Sequence, residues 1–173
     1  MAREFRVLCC RRLGPTCAHA AGQAWVPGAV GKGGDWFGHD SAGLDAYDEV
    51  PTSFAARPEF THYREVLAGL RKQCPAAKPV VVRTAWLPPT TLGECGRRRE
   101  RFVIRLNRDL SQAQAVETLC HEWAHALAWS YSLDKLARDP RVTKEQFEAA
   151  GHDEAWGCAY SRVWRVYVGM LGG

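Results

Sequence analysis

His121-Glu122-Trp123-Ala124-His125 has the residue types and the spacing for metal-assisted hydrolysis. Two histidines four residues apart share one face of a helix, because four residues is slightly more than one turn. Their imidazoles can then hold one tetrahedral zinc ion. Glu122 stands about 100° round the helix from His121. From there its carboxylate can take a proton from a water on the metal without being a ligand. Zinc brings the pKa of such a water to about 7, which suits attack on a carbonyl at neutral pH. The stretch sits inside the apolar run from Val116 to Trp129, as a helix against a core would. The metzincin extension needs Gly and His three and six residues past the second His. Ala128 and Tyr131 stand there instead, which excludes that class. A third metal donor must come from elsewhere in the chain.

His152 is the strongest candidate for that donor. It stands 27 residues after His125, room enough for the chain to turn and return. It opens a predicted final helix that runs towards Met170. Trp156, Tyr160, Val163, Trp164 and Tyr167 form the inward stripe of that helix, and His152 lies one turn before Trp156 on the same side. Glu154 is an alternative ligand, although it projects from a different face. Asp153 suits a helix cap or a partner for a ligating histidine. Cys120 precedes His121 directly but points to another face, towards the core. Tyr160 and Tyr131 are candidates for a donor that would stabilise an oxyanion.

The elements that must position these residues come in a definite order. Pro58 and Glu59 suit the start of a helix that runs to about Lys72, with Phe60, Tyr63, Val66, Leu67 and Leu70 on one face. The β-branched stretch from Lys78 to Trp86 reads as a strand, ended by Pro88-Pro89. Thr90 to Cys95 then faces Arg101 to Leu106 across Gly96 to Glu100, a hairpin with a basic tip. Phe102, Ile104 and Leu106 alternate with Arg101, Val103 and Arg105, as in a strand with one wet face. Ser111 is placed to cap the helix that carries the two histidines, which should reach about Ser130. Asp134 to Arg141 reads as a polar stretch that ends it. Thr143 and Gln146 have capping-box spacing for a short helix over 144–150, closed by Gly151.

The chain of 173 residues suits one α+β domain with a buried core, its active part expected at 53–173. Residues 1–52 are rich in Gly and Ala and read as an irregular segment of unassigned role. No apolar run approaches the roughly 20 residues of a membrane span, and the apolar core near Val7 is too short for a signal peptide. Seven scattered cysteines argue for reduced thiols, so a cytoplasmic protein is expected. The net charge of +4 is concentrated in residues 53–110, which hold twelve basic and five acidic side chains. Arg97, Arg98, Arg99 and Arg101 at the hairpin tip are therefore candidates for contact with nucleic acid.

Taken together, His121-Glu122-Trp123-Ala124-His125-Ala126 and the later Gly151-His152-Asp153-Glu154-Ala155-Trp156 resemble the SprT-like zinc metallopeptidase domain, over roughly residues 55–170. Such domains occur in bacteria and phages as well as elsewhere. In that family the third histidine opens a later helix and an aromatic follows four residues on. The residue after the third histidine is usually Gly there and is Asp153 here. The resemblance implies a zincin-like fold: a small antiparallel sheet with a hairpin, packed beside the HExxH helix and a C-terminal helix. It implies Zn²⁺ held by His121, His125 and His152, with Glu122 as general base. It also implies a protein or peptide substrate, in some relatives a DNA-associated one. The rival from another class is a non-catalytic module, stabilised by zinc, that binds nucleic acid or protein.

Overall fold

The computed structural model describes residues 7–11 and 54–172. Four strands and five α-helices are described. The strands are β1 (Val7–Arg11), β2 (Val80–Ala85), β3 (Thr91–Arg98) and β4 (Arg101–Asn107). The helices are α1 (Thr61–Gln73), α2 (Gln112–Ala128), α3 (Tyr131–Arg138), α4 (Lys144–Gly151) and α5 (Glu154–Leu171). The class is α+β, as expected.

The sheet runs in the order β1-β3-β4-β2. It is mixed, which corrects the expected antiparallel sheet: β2 pairs parallel to β4, with Val80 opposite Phe102 and Ala85 opposite Asn107. Burial explains the arrangement. Phe102, Ile104 and Leu106 are almost fully enclosed, so β4 takes a central place, while all six residues of β2 are half-buried, as on an edge. The expected irregular segment 1–52 is corrected as well, because Val7–Arg11 pairs antiparallel with β3. The rest of that segment lies outside the described residues.

The hairpin is tighter than the sequence suggested. Arg97 and Arg98 belong to β3, and Gly96 pairs with Val103 inside the ladder. Only Arg99 and Glu100 make the turn, which Arg99 closes with φ of 45°. Gly93 is required by close approach, since a Cβ there would stand 2.5 Å from Thr118 Cγ2 on α2. Asn107, at the end of β4, is 4% exposed and fixes the β2–β3 connection. Its Nδ2 donates to the carbonyls of Thr91 at 3.0 Å and Leu87 at 3.3 Å.

Helix α2 lies on β3 and β4 and packs against α1 and α5. Ser111 caps it as expected, in a reciprocal capping box with Gln114. No side chain of its own first turn caps α1. Gln112 does so from α2, its Oε1 accepting from His62 N at 2.9 Å. On the core side, Val116, Leu119, Cys120 and Trp123 are buried, and the Trp123 indole donates to the Cys74 carbonyl at 2.8 Å. Burial of such side chains contributes roughly 1.5–3 kcal/mol each.

Residues 131–138 are a further helix, α3, rather than a polar end to α2. Ser130 caps it, accepting from Leu133 N at 3.1 Å. Leu133, Leu136 and Ala137 recur at helical spacing and pack with Phe147 of α4 in a small second core. Asp134 ties this unit to the sheet. It is 8% exposed and accepts from the Trp129 indole at 2.8 Å, from Arg138 at 3.1 Å and from Arg97. No helix among the described residues is long and apolar enough to cross a membrane.

Candidate metal centre

Helix α2 presents His121 and His125 one turn apart, and His152 meets them from the junction of α4 and α5. The sequence placed His152 at the opening of the last helix. Instead it follows the final residue of α4, and α5 begins only at Glu154. One side-chain cap sits at the start of each of these two helices. Thr143 forms a capping box with Gln146 at the start of α4. Asp153 caps α5, its Oδ1 accepting from Trp156 N at 2.9 Å. Asp153 therefore serves the cap that its position suggested.

The three histidine nitrogens converge. Nε2 of His121 lies 3.1 Å from Nε2 of His152 and 3.1 Å from Nε2 of His125. All three donor atoms lie within 4.8 Å of one another, and the group could hold a metal ion. Among the described residues, neither Asp153, Glu154 nor Cys120 joins it. A tetrahedral ion with metal–nitrogen bonds of about 2.0–2.1 Å keeps its nitrogens about 3.3–3.4 Å apart, close to the observed spacing.

Tautomers and protonation fit the same role. His152 Nδ1 stands 2.8 Å from the Glu148 carbonyl. A carbonyl only accepts, so a proton sits on Nδ1, and Nε2 is the nitrogen left to face the other two histidines. The Gly151 carbonyl lies beside His125 in the same sense, although no full hydrogen bond closes there. Burial, and then the neighbouring His152, push His121 down to about 3. Burial, His121 and His152 hold His125 well below the ordinary histidine range. Neutral imidazoles with inward lone pairs are what a cation requires.

Glu122 is fully enclosed, and neither carboxylate oxygen has a hydrogen-bond partner among the described residues. Burial raises its pKa strongly, and Glu94 and Glu148 add to the effect. His121 and His125, held neutral by burial, offer this acidic pocket no compensating charge. A divalent cation at the histidines would supply it. The donor chemistry, the nitrogen spacing and the uncompensated carboxylate all fit a metal ion.

Several surrounding residues were not legible as parts of the site. Trp156 walls it, with its ring centroid 4.9 Å from His121, 5.5 Å from His125 and 4.8 Å from His152. Its inward position was expected, its contact with all three histidines was not. The backbone carbonyl of Glu148 carries no side-chain signal at all. Of the two tyrosines, Tyr160 lies 6.1 Å from His121 ring to ring, while Tyr131 is 79% exposed at the start of α3. At the hairpin, Arg97 is committed to Asp134, and Arg99 and Arg101 are exposed. No family model, curated protein or solved structure matches the chain.

Proposed function

We propose that this chain is a zinc-dependent peptidase of the SprT-like kind it resembles. The observation that carries the reading is the convergence of three histidine Nε2 atoms, with a buried, unpartnered glutamate next in the chain to His121. An all-nitrogen set of three protein donors, with no fourth donor among the described residues, favours catalytic zinc, since structural zinc sites fill all four positions with protein. Zinc, when bound, would acidify a water molecule and polarise the substrate carbonyl.

The chain's own residues do the rest. His121 and His125 are fixed by a helix whose opposite face is core, so their rings have little freedom. His152 is aimed by its bond to the Glu148 carbonyl, the kind of outer partner that orients a ligating imidazole. Glu122 accepts the proton of the attacking water and returns it to the leaving amine. Trp156 covers one side of the histidines and limits water there.

The non-catalytic alternative draws less support. A site that serves folding alone has no use for an enclosed carboxylate beside its ligands. The nucleic-acid role proposed for the hairpin also loses Arg97, whose charge Asp134 takes up. The test is cleavage of fluorescein-labelled casein, an unfolded substrate, by the zinc-loaded chain and by Glu122→Gln. Turnover should fall by roughly 10²–10⁴-fold in the variant, the usual contribution of a general base, while zinc is retained. Equal cleavage by both proteins would remove Glu122 from the mechanism.

A further inference from the structure

A ladder of aromatic rings leaves the histidine site along α5. Trp156 stacks on Tyr160 with centroids 5.1 Å apart and planes 10° apart. Tyr160 stacks on Trp164 at 6.0 Å, and Trp164 meets Tyr167 at 5.1 Å. The inner side of α5 buries Val163 in the core. The outer shoulder stays open: Trp164 is 40% exposed, Val168 47% and Leu171 57%. Gly157, Tyr160, Ser161, Trp164, Val168 and Leu171 fall on this shoulder by helical spacing, and none is charged. The arginines of α5, Arg162 and Arg165, border a different cleft with Gln73 and Met170.

Gly157 adds an independent observation. It sits within the first turn of α5 beside Trp156, where Gly costs about 1 kcal/mol relative to Ala. Packing does not require it, since a Cβ there would meet nothing within 4 Å. A side chain could thus be added at Gly157 without meeting a neighbour within 4 Å.

We propose that this shoulder of α5 binds an extended, apolar stretch of the polypeptide substrate and leads it to the histidine site. The inference rests on the peptidase reading and names the class of segment that such an enzyme would take. Tyr160, Trp164 and Val168 are four residues apart, so the rungs rise by about 6 Å each. An extended peptide places side chains of one face about 6.6–6.8 Å apart, a near match. The absence of charge on the shoulder favours apolar side chains there. Single-stranded nucleic acid suits it less, because bases need open ring faces and a cationic track. Here the ring faces lie against one another, and Arg165 only borders the shoulder beside Ser161 and Val168.

The test uses the zinc-loaded full chain carrying Glu122→Gln, to prevent turnover, and fluorescence anisotropy. The probes are a labelled dodecapeptide with Phe and Leu at alternate positions, the same peptide with Lys and Glu there, and dT12. The apolar peptide should bind at least about tenfold more tightly than the charged one. Gly157→Leu, which fills the open space, should weaken its binding about tenfold, as should Trp164→Glu combined with Val168→Glu. Equal affinity for both peptides, or affinity untouched by these surface changes, would overturn the proposal. So would dT12 binding in preference to peptide and losing it in the same variants. Casein cleavage by the wild type separates the two readings. Cleavage without selective peptide binding sinks the shoulder alone, whereas selective binding without cleavage sinks the peptidase reading and leaves the shoulder standing.

Discussion

Replacing Asp134 by Ala should cost the fold about 3–5 kcal/mol and leave the metal centre intact. The carboxylate is 8% exposed and gathers three donors. The Trp129 indole bond, 2.8 Å long and to a charged acceptor, is worth about 1.5–3 kcal/mol. Arg97 is three-quarters enclosed, and leaving its guanidinium without the acid adds about 1–2 kcal/mol after allowance for its residual contact with water. Arg138 is 53% exposed and adds at most about 0.5 kcal/mol. Urea unfolding followed by circular dichroism reads the sum. At about 2 kcal/mol per molar urea, the midpoint should fall by roughly 1.5–2.5 M. Arg97→Ala should lose part of the same energy, and the double variant should show a coupling of about 1 kcal/mol or more. Zinc content should not change. A midpoint shift under about 0.3 M would refute the reasoning, and would return Arg97 to the pool of cations available for a partner.

Two further substitutions probe how the sheet positions α2. Gly93→Ala drives a methyl group to 2.5 Å from Thr118 Cγ2 and 3.2 Å from the Arg105 carbonyl, so it should cost about 1–3 kcal/mol, read as a thermal midpoint lower by several degrees. Asn107→Ala leaves the Thr91 and Leu87 carbonyls without their donor and should cost about 2–3 kcal/mol, with faster proteolytic nicking between 86 and 91. Unchanged proteolysis there would show that Asn107 does not hold that connection.

Much of the site could be read from the chain because helices are local. The spacing of His121 and His125, the cap at Ser111 and the capping box at Thr143 all depend on residues within one turn, and the structure has each of them. His152 was found by its distance along the chain and by its aromatic neighbour. It stands two residues before α5 rather than at its first residue, because Asp153 takes the cap. Helix α3 was hidden by charge. Its apolar side is only Leu133, Leu136 and Ala137, set among residues that look like a solvated turn. Strand partners are non-local, and there the sequence says least. The parallel pairing of β2 with β4 follows from competition for the most buried place in the sheet, and no neighbour of β2 in the chain signals it. The pairing of Val7–Arg11 with β3 joins positions 80 or more residues apart, beyond the reach of any local pattern.

The central claim is that three histidines hold one zinc ion. Elemental analysis of the purified wild type beside His152→Ala tests it most directly. His152 is exposed and caps no core, so the variant should fold, which circular dichroism would check. The account predicts about one zinc per chain in the wild type and a marked loss in the variant. Full retention of zinc by His152→Ala, or a wild type that takes up none from a zinc-supplemented buffer, would contradict it.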